Sequence, residues 1–190
     1  MYLNKKTIIK WLFITLLLFP ILAIAATKPV QPQKFSSSAE FVRAVYPHAK
    51  EVASQIGVDP KLLVAQAAHE TNWGKKIPRH QDGSSSYNLF GIKSSHSNPN
   101  KKVVVQTKEY RRGKLVKEKA GFRTYNNFKE SFADYAAMLK RSQRYQSALT
   151  KAHSPYDFLM DLQKSGYATD PSYAKKIYAV YQSSIIKKLA

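Results

Sequence analysis

The stretch Leu62–Lys76, LLVAQAAHETNWGKK, constrains the fold more than any other. It is the most apolar run after the first 25 residues, and its apolar positions recur at helical spacing. Asp59 and Pro60 stand ahead of it as N-cap and first helical position, and Gly74 is the expected stop. Glu70 lies near the end of this helix, on the stripe it shares with Leu63 and Ala67, which faces a core. A carboxylate in the last turn meets the negative end of the helix dipole, which disfavours its ionised form by about 0.3–1 kcal/mol. Raising a glutamate from about 4.3 to about 6, as a general acid at neutral pH requires, takes roughly 2.5 kcal/mol, so desolvation must supply the remainder. Trp73, three residues on, is the candidate wall for such a site. On the residues alone, a buried glutamate satisfied by an arginine or by backbone donors explains the position more simply.

The rest of the pattern is helix, hairpin, helix. At 190 residues there is room for one domain and short extensions. Lys5, Lys6 and Lys10 precede an apolar run from Trp11 to Ile24, and Ala23-Ile24-Ala25 follows the A-x-A cleavage pattern, so residues 1–25 read as a secretory signal peptide. The run is short for a membrane span and is broken by Pro20, which disfavours an uncleaved anchor. Residues 26–37, rich in Pro, Gln, Ser and Lys, read as a flexible leader. From Ser38 the spacing is helical; Pro47 either kinks that helix or starts a second one, and Gly57 ends it. Tyr87–Lys93 is extended or a tight turn, and Lys101–Tyr125 forms two β-rich arms about Arg111-Arg112-Gly113. Three further helical segments follow, with caps at Asn126 or Asn127, Ser154 and Asp170. The fold class is α+β, predominantly α, with one small β-hairpin.

Charge and cysteine content narrow the function. The formal charge is +19, and without residues 1–25 the chain keeps 28 basic and 12 acidic residues, a net +16. An exported chain so basic meets the polyanions of the cell envelope before it meets nucleic acid, and no nucleic-acid-binding motif is present. The absence of cysteine excludes disulfides, a thiolate nucleophile and zinc–thiolate sites. No cofactor or metal is expected. Among the acids, Asp59 and Asp170 read as caps, Asp82 as a turn residue, and those on amphipathic helices as solvated faces.

Four stretches in order carry a resemblance to a known family. AQAAHETNWG resembles the A-Q-A-x-x-E-[ST]-x-W-G signature of glycoside hydrolase family 73, the cell-wall β-N-acetylglucosaminidases. YNLFGIK, TKEYRRGKLVKEKAGFRTY and GYATDPSYAKKI match that family's further motifs, so the resemblance runs from about Phe41 to Leu189. His69 and Asn72 depart from the usual residues, and His69 reads as a supporting or surface position. The resemblance implies a lysozyme-like glycosidase domain over residues 38–190, with its hairpin lobe over the cleft. Glu70 would then be the general acid and Glu109 the second carboxylate, with Tyr167 in the cleft orienting water or the acetamido group. Trp73, Asn88, Phe90 and Tyr125 would shape the sugar sites. Without the resemblance Glu109 is an ordinary hairpin glutamate, Tyr167 is core packing, and the other four are structural. Glu118 is the nearest rival to Glu109 but does not align with the E-Y position.

The implied activity is hydrolysis of the β-1,4 bond between N-acetylglucosamine and N-acetylmuramic acid, by a monomer acting on peptidoglycan strands in the periplasm or outside the cell, with no membrane anchor once the signal is removed. A lytic transglycosylase or muramidase of the same fold is the enzymatic alternative, and a basic wall-binding protein the non-enzymatic one. Carboxylate separation divides inverting from retaining routes, and substrate-assisted attack is a third possibility. The charge generates a test: binding to purified cell wall should weaken steeply as salt is raised from low to near-molar concentration, measured by co-sedimentation.

Overall fold

A computed structural model describes residues 34–94, 102–111 and 114–189, apart from the side chains of residues 108–111. The expected signal peptide, and the leader as far as residue 33, lie outside the described residues. Helix α1, Ser38–Ile56, starts where Ser37 accepts the Glu40 N–H at 3.1 Å and the Glu40 carboxylate accepts the Ser36 N–H in return at 2.7 Å. Pro47 sits inside it and the helix runs on. Val45, Ala49, Val52 and Ala53 are buried on either side of the proline, and this packing outweighs the lost backbone hydrogen bond. Gly57, left-handed at φ 69°, closes the helix.

Helix α2, Pro60–Thr71, is capped by Asp59, whose carboxylate accepts the Lys61 N–H at 2.8 Å. Leu62, Leu63, Val64, Ala65, Ala67 and Ala68 are all fully buried, so the helix is enclosed on every face over its first turns. It ends at Thr71, three residues before the expected glycine stop. Asn72, Trp73 and Gly74 then run left-handed in succession, at φ 48°, 58° and 80°. Asn is the non-glycine residue that enters this region at least cost, so it takes the C-cap. Thr71 Oγ1 donates to Ala67 O at 2.6 Å and accepts the Gly74 N–H at 2.8 Å, and the Trp73 N–H reaches Ala68 O at 2.8 Å. Gly74 has a second reason to be glycine: a Cβ there would collide with the Phe35 ring and come within 2.8 Å of Phe41 Cδ2.

Phe35 also corrects the expected leader. It is buried, edge-on to Phe41 at 5.2 Å and tilted against Phe128 at 6.1 Å, so the ordered chain begins before residue 38.

Strands β1, Lys102–Arg111, and β2, Lys114–Arg123, pair antiparallel from Lys102↔Arg123 to Arg111↔Lys114, as the sequence predicts. Val103 and Phe122 on one face are buried, whereas Val104 and Leu115 on the other are more than half exposed. The segment before the hairpin adds a short third edge: Arg123 N–H donates to Ile92 O at 3.0 Å and Ser94 N–H to Gly121 O at 2.9 Å.

The remaining helices are α3, Phe128–Arg141, then after a 3₁₀ turn α4, Gln146–Thr150, followed by α5, Pro155–Lys164, α6, Tyr173–Tyr181, and α7, Ser184–Lys187. Helices α1, α6 and α7 pack around α2, and α3 packs on α1. Asn127 caps α3, its side chain accepting the Glu130 N–H at 2.9 Å. Asp170 is not the cap of α6, which starts two residues later from Ser172; its carboxylate closes the preceding turn on the Ser172 N–H at 2.8 Å. Two helix acids expected on solvated faces are instead tied down. Asp134 takes both oxygens to Arg123 Nη1 at 2.9 and 2.7 Å, and Asp161, buried, accepts from Ser147 at 2.6 Å and from Lys151 at 2.9 Å.

The crowding at Gly74 sets a stability test: Gly74→Ala should cost about 1–3 kcal/mol through overpacking and left-handed strain, read from the midpoint of urea unfolding.

Candidate active site

Glu70 is half-buried in the last turn of α2, where the enclosed helix reaches the rim of the core. What faces it is built by the loop Tyr87–Lys93, folded around the side chain of Asn88. The Asn88 amide donates to Ile92 O at 2.9 Å and Arg123 O at 3.0 Å, and its carbonyl oxygen accepts the Ile92 N–H at 3.1 Å. Leu89 N–H is held by Ser131 Oγ at 3.1 Å. This brings Gly91, at φ 62°, against the carboxylate: a Cβ there would stand 3.5 Å from Glu70 Oε2. The glycine provides the left-handed turn that sets this backbone beside the carboxylate.

Tyrosines pack behind this loop and α2. Tyr167 donates its hydroxyl to Phe90 O at 2.8 Å, fixing the backbone just before Gly91. Tyr135 stacks on Phe90, with ring centroids 4.1 Å apart, and donates to Gln66 Oε1 at 2.9 Å, while Gln66 Nε2 donates to the Tyr173 hydroxyl at 3.0 Å. Burial pushes the Tyr135, Tyr167 and Tyr173 phenols well above their ordinary range, and the Glu70 charge pushes each further in the same direction. Their hydroxyls therefore stay protonated donors throughout the neutral range. His69 meets Tyr173 edge-on at 6.2 Å, and burial, then Lys176, holds its imidazole below the usual range.

The sequence-predicted residues separate into those at the carboxylate and those that support it. Tyr167 reaches Glu70 electrostatically and acts on the loop through its hydroxyl. Asn88 and Phe90, 1% and 2% exposed, have no surface to present to a sugar; their polar groups and ring are committed to shaping the loop. Tyr125 is partly exposed, but its hydroxyl donates to Asp134 at 2.7 Å, and its N–H donates to Ser86 O at 2.9 Å, tying the hairpin exit to the loop. Trp73 is partly exposed at the helix end, edge-on to Phe41 at 6.4 Å.

Glu109 lies opposite Val116 on the hairpin, in the same alternating series as Val103, Thr107 and, across the ladder, Glu118; its side chain is outside the described residues. Glu118 stands 3.7 Å from Lys93 Nζ. Sequence reasoning missed Gln66, Tyr135, Tyr173 and Gly91. Gln66 alone left a signal, a polar residue one turn before Glu70 in an apolar run. Among the described residues no cluster of His, Asp or Glu is arranged to hold a metal, and no helix is long and apolar enough to cross a membrane.

A half-exposed glutamate at the end of an enclosed helix, against a glycine turn and with a β-hairpin joined to the same loop, defines a lysozyme-like glycosidase. The profile of the glucosaminidase family, described as mannosyl-glycoprotein endo-beta-N-acetylglucosaminidase, matches residues 46–185, and the chain belongs to this family, glycoside hydrolase family 73. It is 50% identical over 143 residues to the peptidoglycan hydrolase FlgJ of Pseudomonas aeruginosa, covering 75% of this chain and 36% of that protein. The chain spans less than half the length of this and the other FlgJ relatives it matches. Among solved structures, a peptidoglycan hydrolase mutant from Sphingomonas sp. A1 superposes with a TM-score of 0.75 at 40% identity, covering 79% of this chain and 96% of that one. A C-terminally truncated glycoside hydrolase domain of Salmonella typhimurium FlgJ gives 0.65 at 36%, covering 81% and 100%.

The buried tyrosines have a pH consequence. Phenols raised in the folded state stabilise it fully below the unfolded value near 10, and that contribution is lost as pH rises above it. The urea midpoint should fall steeply above about pH 10, and Tyr135→Phe should lower the slope by about one proton.

Proposed function

We propose that the chain is a peptidoglycan hydrolase, an endo-β-N-acetylglucosaminidase cleaving the β-1,4 bond between N-acetylglucosamine and N-acetylmuramic acid. The observation that carries this reading is the placement of Glu70, half-buried in the last turn of α2 at the edge of the hydrophobic core with Oε2 beside Gly91, where a carboxyl group is both partly desolvated and partly exposed. Glu70 donates its proton to the leaving oxygen as the bond breaks, and the sugar takes on oxocarbenium character. Glu109, on the hairpin, is the second carboxylate, activating water or stabilising that charge. Its assignment rests on its place in the E-Y motif and on the antiparallel register.

Tyr167 serves by holding the Phe90–Gly91 backbone at the distance the substrate requires. Trp73 and Tyr125, both partly exposed, are the candidates for contact with pyranose faces. The peptidoglycan hydrolases named above support the substrate class. The features of residues 1–25 support export to the periplasm or beyond, and the +16 charge of residues 26–190 supports retention on an anionic wall. The protein acts as a monomer without a nucleic-acid partner.

Glu70→Gln should lower clearing of purified cell wall by about 10²–10⁴-fold while leaving the circular dichroism spectrum unchanged. Glu109→Gln should lose most activity and Glu118→Gln little. Mass spectrometry of the products should find N-acetylglucosamine at the reducing ends; anhydromuramyl ends would assign a lytic transglycosylase instead.

A further inference from the structure

The two faces of the hairpin differ in charge. Val103 with Phe122, Val105 with Ala120 and Thr107 with Glu118 form the inner face, which is buried at its base, and Glu109 belongs to it by register. The outer face alternates with it and holds Lys102, Val104, Gln106, Leu115, Lys117 and Lys119, all of them exposed. Lys108 and Tyr110 fall in the same series by register. No acid belongs to this outer series, since both hairpin glutamates stand in the inner one.

The outer lysines are unneutralised. Arg123, opposite Lys102 at the base of the ladder, is bound by Asp134 at 2.7 Å. Lys102, Lys117 and Lys119 make no ion pair with any described residue. Lys102 lies along the sheet where Gly121 leaves it room: a Cβ at Gly121 would stand 3.5 Å from Lys102 Cδ. Lys117 and Lys119 follow each other on one face of β2, about 7 Å apart along the strand. The repulsion of like charges at that spacing is offset by an anion lying over the face. The exposed apolar groups do not form a patch. Val104 is near the base and Leu115 is opposite Tyr110 near the tip, so about 20 Å of ladder, with Gln106, Lys117 and Lys119, separates them. A bilayer surface is met by continuous apolar area, whereas charges strung along a ribbon complement a polymer with repeated anionic groups.

We infer that the outer face of the hairpin is a docking surface for the stem-peptide carboxylates of peptidoglycan, held by Lys102, Lys117 and Lys119, while a glycan strand occupies the side to which Glu109 belongs. In a cross-linked wall the neighbouring strand and its peptides lie beyond whatever element covers the first strand, so the hairpin meets substrate on both faces. Ammonium groups on flexible stems suit carboxylates of irregular spacing. The inference rests on the proposed action on peptidoglycan, and it separates retention on the wall from cleavage.

Lys102→Gln/Lys117→Gln/Lys119→Gln is compared with wild type and with Lys140→Gln/Lys175→Gln/Lys188→Gln, which removes the same charge from exposed positions outside the hairpin. Co-sedimentation at low salt is measured on peptidoglycan freed of attached polymers, and on the same material after its carboxylates are amidated with carbodiimide and ammonia. The hairpin variant should bind native peptidoglycan about tenfold more weakly than wild type and the control variant within about twofold of it. Amidation should bring wild type down to the level of the hairpin variant. Wild-type binding by the hairpin variant overturns the proposal, as does an equal loss in the control, which assigns retention to net charge. Wild-type binding unchanged by amidation overturns it too, and a hairpin variant impaired only on phosphatidylglycerol vesicles assigns the face to a membrane instead. If thermal unfolding shows the hairpin variant to be misfolded, Lys117→Glu decides alone, with wild-type binding again overturning the proposal. Sedimentation reads binding without turnover: clearing of wall by Glu70→Gln refutes the assignment of the acid only, and carboxylate-dependent binding by a wild type that clears no wall refutes the hydrolase reading only.

Discussion

A helix that is apolar on all its faces has to be enclosed, and the enclosure of α2 is the constraint on which the rest of this structure depends. Leu62 to Ala68 are buried without interruption, so α1, α6 and α7 must close around them. The last turn alone reaches the rim, and it carries Glu70. The carboxyl group is thereby placed where burial and the helix dipole both act on it, while part of the residue stays exposed. Gln66 makes the enclosure specific. An amide within this core has to find its partners, and those partners fix how α3 and α6 sit against α2.

A second constraint joins the hairpin to the acid. Asn88 is buried at the centre of the loop Tyr87–Lys93 and satisfies main-chain groups from that loop and from Arg123 at the end of β2. The backbone that presents Gly91 to Glu70 is therefore continuous, through hydrogen bonds, with the base of the β-hairpin. Asp134 adds a clamp from α3, taking Arg123 and the Tyr125 hydroxyl together. Tyr167 closes the arrangement from the far side by its bond to Phe90 O. Asn88 and Phe90 thus serve the site from beneath, with backbone and packing in place of sugar contacts.

Local signals were legible wherever the physics is local. The Asp59–Pro60 start of α2, the Asn127 cap of α3, the Gly57 stop and the antiparallel hairpin all follow from groups within a few residues of each other. The misreadings involve partners far along the chain. Phe35 belongs to the ordered domain because Phe41 and Phe128 receive it, and a Pro- and Ser-rich flank does not reveal that. Asp161 is satisfied by Ser147 and Lys151 from another helix, which periodicity alone cannot announce. Gly74 looked like the helix stop, but Asn72 took the left-handed position first, and Gly74 is needed because two aromatic rings press on its Cα.

By itself the sequence determined the helical order, the hairpin, the family to which the chain belongs, and Glu70 as a carboxylate out of keeping with its stripe. The family rests on the resemblance of four motifs in order; the others rest on periodicity, caps and spacing, which act over one or two turns of chain. Tertiary structure alone decided that Gly91 lies beside Glu70, that Tyr135 and Tyr167 hold the loop before it at Phe90, and that Gln66 joins Tyr135 to Tyr173. Those groups lie on separate elements, and a hydrogen bond or a charge effect between them exists only once hydrophobic burial has brought the elements within a few ångströms.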